Sequence, residues 1–412
     1  MTSEIVVMNQ RAIALAADSA VTVSDGRTVI VRNEQRKLFN LAAGLPVGVM
    51  FFGVADLMGH PWEVLLDHFQ KKGRAGPQPV MRDYASQFVG SLDHLEAFFP
   101  RERHKDEYKR LLGSIFRFLF KLANYLHEAG NAASENDALR QAIEMVWRRY
   151  QFRDDGSPRR DLACFPPGFG ETVKRDHGDA IEELIAYGFA NRGLDAASKQ
   201  RLKEIGVFCV VKDLFLEDVT GIVFAGYGVE ESYPVVVTCN VSAVVNGILK
   251  RAEIDVAAID NELRSSISLF ADCEVTYAFL RGIELDLEVR MYGTLQVLGQ
   301  KLVDQLVGSF TGVDPAQRES VRRQFHGRHL PEYVRRFHAM MAEYQQAAYI
   351  DPILRVLEIA TRQELADTAR ELVALNIFKK RIMAKRQTVG GAIDVAVISR
   401  DGGFAWVQRQ GV

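Results

Sequence analysis

The run EIVVMN at 4–9, the pair Gln10-Arg11 and the run AIALAA at 12–17 demand burial almost from the first residue. Two apolar runs of strand length around two polar residues read as a tight hairpin. With so little polar alternation, both faces of that hairpin must be covered. TVSDGRTVIV follows, with Asp25-Gly26 as a second turn, and RKLFNLAAGLPVGVMFFG reads as two more strands around Gly44-Leu45-Pro46. The first 53 residues are therefore expected to be all-β. Glu4, Asn9, Gln10 and Arg11 interrupt the opening, and no basic head precedes it, so it does not read as a signal peptide.

From about Ala55 the apolar period becomes helical. ADLMGHPWEVLLDHFQKK and MRDYASQFVGSLDHLEAFF place apolar residues three and four apart. YKRLLGSIFRFLFKLANYLHEA carries a broad stripe of Tyr108, Leu111, Leu112, Ile115, Phe116, Leu119, Leu122 and Leu126. That is more apolar surface than a lone surface helix needs, so it should be buried in the fold or against another chain. ALRQAIEMVWRRY and HGDAIEELIAYGFAN add helices, and the Pro- and Gly-rich stretch between them should be irregular. Strands return in the hairpin TGIVFAGYGVEESYPVVVTCNV, which SAVVNGILKRAEIDVAAI extends. Helices then run from about Cys273 to Ala384, and VGGAIDVAVISRDGGFAWVQ closes the chain as strand, turn and strand. Sheet at both ends with helices between predicts an α+β, layered α/β/β/α sandwich rather than a βαβ succession.

A length of 412 residues, 48% hydrophobic, allows a large core and two or three domains. The formal net charge of -2 makes no case for nucleic acid or an anionic membrane, and no apolar stretch is long enough to span a bilayer. Cys164, Cys209, Cys239 and Cys273 lack CxxC spacing and read as buried free thiols in a reduced cytoplasm rather than a disulfide or zinc framework. His326, His329 and His338 have no carboxylate cluster at metal-ligand spacing and read as a solvated helix end. GYGVEE belongs to a hairpin rather than to a phosphate loop, and FKKRIMAKR reads as a basic helix terminus.

Thr2, Asp18 and Lys37 stand out as polar positions in the apolar amino-terminal block. Taken singly they are what turn caps and strand edges use. Taken together, Asp18 lies sixteen positions after Thr2 and closes the second strand, and Lys37 sits in EQRKLFNL just before another. This layout resembles the proteasome β-subunit family of N-terminal nucleophile hydrolases, in its bacterial proteasome-like branch. VMFFGVADLMG is similar to the strand whose closing glycine, here Gly53, offers a backbone N–H to the oxyanion. TRQELADTARELVALNIFKKRIMAKRQTVGGAIDVAVISRDGG resembles the last long helix, the Gly-Gly turn and the closing strands. Where that family carries an aspartate and a serine around the turn, this chain has Arg386 and Val389, with the Thr388 hydroxyl one residue away.

The resemblance implies a four-layer N-terminal nucleophile sandwich built from 1–100, 205–255 and 360–412, with helical insertions at 100–205 and 256–360. It implies a peptidase or amide hydrolase whose nucleophile is Thr2, exposed by removal of Met1. The α-amine of Thr2, with an ordinary pKa of about 7.7–8.0, would serve as base. Lys37 would tune that amine and hydroxyl, Asp18 would orient the lysine, Gly53 would hold the oxyanion, and Thr388 would support the terminus. The same resemblance implies a peptide or amide substrate, a homo-oligomer, an ATPase or adaptor partner of unspecified kind, and neither cofactor nor metal. Two other functions fit the same residues: a catalytically inactive proteasome-like subunit or scaffold, and an acylase or amidase acting on a small substrate.

Overall fold

Strands β1 (Ser3–Asn9) and β2 (Ile13–Asp18) form the opening hairpin, antiparallel with Glu4 opposite Ala17 and Met8 opposite Ile13. Its turn is closed by Asn9, whose Oδ1 accepts the N–H groups of Arg11 and Ala12 at 2.9 and 3.2 Å. The structure, a computed structural model, describes residues 3–24, 29–32, 35–73, 76–383 and 390–409, apart from the side chains of 21–24 and 29–32. Thr2, Asp25, Gly26, Arg386, Thr388 and Val389 lie outside the described residues.

The chain continues through β3 (Val21–Ser24), β4 (Val29–Arg32), β5 (Leu38–Asn40), β6 (Val47–Gly53), β7 (Asp56–Leu57) and β8 (His60–Pro61). Helices α1 (Trp62–Lys71), α2 (Met81–Gly90), α3 (His104–Glu128), α4 (Glu135–Gln151), α5 (Phe169–Phe189) and α6 (Ala196–Val211) follow. Next come β9 (Thr220–Gly226), β10 (Val235–Val245), β11 (Ile248–Ala258) and β12 (Ser265–Ala271). Helices α7 (Glu274–Arg281), α8 (Leu285–Gly308), α9 (Pro315–Gln324), α10 (Leu330–Gln345), α11 (Asp351–Ile359) and α12 (Arg362–Met383) lead to β13 (Ile393–Ser399) and β14 (Gly403–Gln408).

These elements fall into two compact units, one of Met1–Gln35, Ile259–Val397 and Trp406–Val412, the other of Arg36–Ala258 and Ile398–Ala405. The fold is α+β, with antiparallel pairing between β1 and β12, β1 and β2, β10 and β11, β9 and β10, β6 and β9, and β5 and β6.

The first unit is organised by the sheet β12-β1-β2-β13-β14. One face presents Ile5, Val7, Ala12, Ala14 and Ala16 to Leu365, Ala366, Ala369, Leu372 and Val373 of α12. The alanines let that helix lie close on β2. Thr361 and Glu364 cap it reciprocally: the Thr361 N–H donates to Glu364 Oε2 at 2.7 Å, and the Glu364 N–H donates to Thr361 Oγ1 at 3.3 Å. Asn9 Nδ2 donates to the carbonyls of Leu357 and Ala360, which ties the α11–α12 connection to the hairpin turn. Strand β12 is absent from the sequence expectation, which reads 256–360 as helical; its register, Ser3 opposite Ala271 to Asn9 opposite Ser265, makes it the neighbour of β1.

The second unit is built on the sheet β11-β10-β9-β6-β5. Val47, Val49, Phe51, Ile222, Phe224, Val237 and Val241 point to α1 and α2, meeting Trp62, Leu66, Phe69, Phe88 and Val89. The far end of β10, at Ala243 and Val245, enters a second core made by α3, α4, α5 and α6. The expected stripe of α3 is buried inside this core from Tyr108 to Leu126, with Leu122 partly buried, so it is consumed within the fold. Tyr108 Oη donates to the Gly206 carbonyl of α6 at 2.7 Å. Gly206 also lets α6 approach α5, because a Cβ there would stand 3.0 Å from Ile181. The sequence reading places 196–205 in its helical insertion but names no separate helix over 196–211; there Ile205, Gly206, Val207, Cys209, Val210 and Val211 are all buried, so no amphipathic period marks it.

Lys250 of β11 is buried, and its Nζ donates to the carbonyls of Cys209 and Leu214 at 2.8 and 2.7 Å and sits over the Phe215 ring. Burial pulls its ammonium down to about 8. The unfolded group holds its proton to about pH 10.4, so between these values the unfolded chain binds more protons here and stability at this site rises with pH. Relative to Lys250→Met, the wild type should gain about 2–3 kcal/mol between pH 8 and 10.4. Chemical denaturation of both proteins across that range measures it, and a constant difference would show an undepressed lysine.

Candidate active site around Asp18

Asp18 ends β2, one strand position beyond the Glu4–Ala17 pair, and is 1% exposed. A buried carboxylate needs donors, and here each oxygen has one from the backbone. Oδ1 accepts the Ser3 N–H and Oδ2 accepts the Gly390 N–H, both at 2.9 Å. The Ser3 N–H belongs to the peptide bond that joins Thr2 to Ser3. The carboxylate therefore stands against the first peptide of the strand and clasps it to the residue that leads into β13. Both hydrogen bonds have good length, so one side chain joins the two chain segments.

The Ser3 side chain is held from the other direction. Asn376 of α12 donates through Nδ2 to Ser3 Oγ and to Thr276 Oγ1, both at 2.8 Å. Asn376 Oδ1 accepts the Thr276 N–H at 3.1 Å, and Thr276 Oγ1 lies 3.1 Å from the Leu372 carbonyl as its donor. The Cys273 thiol is 3.6 Å from Ser3 Oγ and 3.0 Å from the Phe270 carbonyl. Burial pushes that thiol up to about 11, so it is protonated at neutral pH and is no nucleophile there. The sequence reading marks Gly390 only as part of the Gly-Gly turn and does not name Ser3, Thr276 or Asn376. One signal was available: Asn376 continues the apolar spacing Leu365, Ala369, Leu372 on α12, and a polar residue on a buried stripe must have partners.

Lys37 and Gly53 belong to the second unit. Lys37 is buried just before β5, and its carbonyl accepts the Phe51 N–H at 3.1 Å. Leu38 faces Met50, so Lys37 and Gly53 are brought to the same end of the β5–β6 pair. Gly53 has φ +90°, and a Cβ there would stand 2.2 Å from the Val219 carbonyl oxygen. Glycine is thus required by the backbone at this point. Thr2 and Thr388, the remaining expected site residues, lie outside the described residues.

A separate polar cavity of about 390 Å³ in the second unit is lined by His94, His104, His177, Lys105, Asp176 and Asn246, among others. Asn246 donates to Asp176, which leaves its Oδ1 for His177 Nε2 at 2.9 Å and puts the imidazole proton on Nε2. Burial holds His177 below its ordinary value, and its ring stacks on Tyr108 at 4.3 Å. Among the described residues no group of three or more His, Cys, Asp or Glu side chains is placed to hold a metal ion, and none of the described helices is long and apolar enough to cross a membrane.

No family model matches this sequence, and no curated protein matches it as a relative.

Two substitutions measure what holds this region. Asn376→Leu leaves the Thr276 N–H without its acceptor and should cost about 1–3 kcal/mol in denaturant unfolding. Gly53→Ala must shift the backbone at Val219 or strain its own φ, and should cost about 1–3 kcal/mol or more by the same measurement.

Proposed function

We propose that this chain is an N-terminal nucleophile hydrolase of the proteasome-like kind, in which Thr2, freed by loss of Met1, attacks a peptide or related amide. One observation carries the reading. The carboxylate sixteen positions after Thr2 lies against the peptide bond that Thr2 makes with Ser3. In such a site the Thr2 α-amine takes the hydroxyl proton as Oγ adds to the carbonyl carbon. The tetrahedral oxyanion meets the Gly53 N–H, a kind of donor typically worth about 100–1,000-fold in rate. The amide nitrogen leaves with the proton, and water then hydrolyses the Thr2 ester to release the acid. Lys37 supplies positive charge that keeps the α-amine unprotonated and favours the developing alkoxide. The Thr388 hydroxyl supports the terminus where Arg386 and Val389 depart from the usual pattern.

Under this reading the two sheets are the inner layers of a four-layer α/β/β/α sandwich, and the protein is a cytoplasmic, cofactor-free homo-oligomer. A second reading, a non-catalytic subunit or scaffold, is favoured by the Asp18 hydrogen bonds themselves. Both carboxylate oxygens already serve backbone N–H groups, a task that needs no chemistry.

Mass spectrometry of protein from its native host, before and after a β-lactone or epoxyketone electrophile, separates the two. The hydrolase should lack Met1 and gain one adduct on Thr2, which Thr2→Ala abolishes. Lys37→Ala should lower adduct formation by about 100-fold or more while the fold persists. Retained Met1 with no adduct would leave the scaffold reading standing.

A further inference from the structure

Helix α8 spans 24 residues, yet only Glu288 and Val307 are buried. Its inner side is defined by contacts. The Tyr292 ring meets Phe337 and His338 of α10 at 6.0 and 4.5 Å, and Gly299 admits Leu330, which would stand 2.4 Å from a Cβ. At 100° per residue, Leu287, Met291, Leu295, Leu298, Leu302 and Leu306 fall in a sector of roughly 100° that adjoins these contacts along one edge, with Gly299 and Tyr292 just beyond Leu295 and Leu306. Leu287, Leu298, Leu302 and Leu306 are each more than half exposed, and Met291 and Leu295 are half-buried. The stripe is continuous over about 28 Å of helix.

We infer that this stripe is a self-association surface whose occupant is α8 of a second copy of the chain, packed antiparallel across a two-fold axis. Area is the first argument. The six side chains expose on the order of 500 Å² of apolar surface, near the upper end of what a monomer usually shows. Two such stripes face to face cover about 1,000 Å², the threshold of a specific interface, before the flanks are counted. The stripe is also self-complementary. With the axis between Leu295 and Leu298, Leu287 of one copy meets Leu306 of the other, and Met291 meets Leu302. The charges on one flank are paired within the chain: Arg290 holds Asp286 at 2.8 Å, and Asp304 holds Arg322 of α9 at 3.0 Å. That flank carries Asp286 and Asp304 against Arg290 and Lys301. Such a balance lacks the Lys/Arg-rich polar face that a helix uses on an anionic lipid surface. The inference does not rest on the reading of the chemistry, and it moves self-association from α3, where the sequence reading allows it, to α8.

Analytical ultracentrifugation of the full chain at micromolar concentration tests it. The wild type should sediment at twice the 46.2 kDa chain mass, or at an even multiple of it. Leu298→Glu/Leu302→Glu should halve that mass without changing the circular dichroism spectrum, because both side chains are exposed. Leu295→Cys/Leu298→Cys should give a disulfide-linked dimer on mild oxidation, with wild type as the control for the native thiols. A monomeric wild type, or an assembly undiminished in the glutamate variant, would overturn the inference. So would a cysteine pair that never cross-links between copies. Flotation of a monomeric wild type with phosphatidylserine vesicles, lost in the glutamate variant, would assign the stripe to a lipid surface instead.

Discussion

A single buried carboxylate ties together segments from opposite ends of the sequence. A buried carboxylate needs donors, and Asp18 accepts the N–H groups of Ser3 and Gly390, 15 and 372 residues away. Meeting both requires β1 to start beside the end of β2 and the segment before β13 to return to the same place. The sheet order β12-β1-β2-β13-β14 satisfies that demand, because β13 enters beside β2. Between β2 and β12 the chain leaves the first unit after Gln35 and returns to it at Ile259, and Arg36–Ala258 belong to the second compact unit.

The packing around that carboxylate follows from side-chain size. Ala12, Ala14 and Ala16 give α12 a smooth bed, and α12 answers with Leu365, Ala366, Ala369 and Leu372. One helical turn beyond Leu372, Asn376 sits on the same stripe and reaches Ser3 and Thr276. A fully partnered polar group on an apolar face narrows the ways in which the helix can be seated, since sliding or rotating α12 would strand its amide. The start of β1 is therefore held twice, through its backbone by Asp18 and through the Ser3 hydroxyl by Asn376. Such rigidity at a chain start suits a terminal nucleophile and equally suits a structural anchor, which is why the proposed chemistry is tested at Thr2 itself.

The opening hairpin, the β5–β6 pair, the β9–β10 hairpin, the closing β13–β14 pair and most of the helices were legible, because apolar runs bounded by Gly, Pro and Asp carry their own period. Strand β12 was not. SSISLFA alternates serine with apolar residues but lies among helical segments, and only its pairing with β1 makes it a strand. Helix α6 was lost for the opposite reason: burial on nearly all sides of its second half erases the period that reveals a helix. At the site, Asp18 was singled out by its spacing from Thr2 and Gly390 as part of the Gly-Gly turn, whereas Asn376 and Thr276 were not, since their partners are distant in sequence.

By itself the sequence determined the type of most elements, the demand that the first strands be buried, and the sixteen-residue spacing between Thr2 and Asp18. These are local quantities: hydrophobic period, turn chemistry and counting along the chain. Only the tertiary structure decided which donors Asp18 receives, that the α3 stripe is spent inside a helical core, and that the α8 stripe remains exposed. An apolar stripe reads the same in sequence whether it faces a core or water; the contacts on the rest of the helix decide which, and those contacts come from residues far away along the chain.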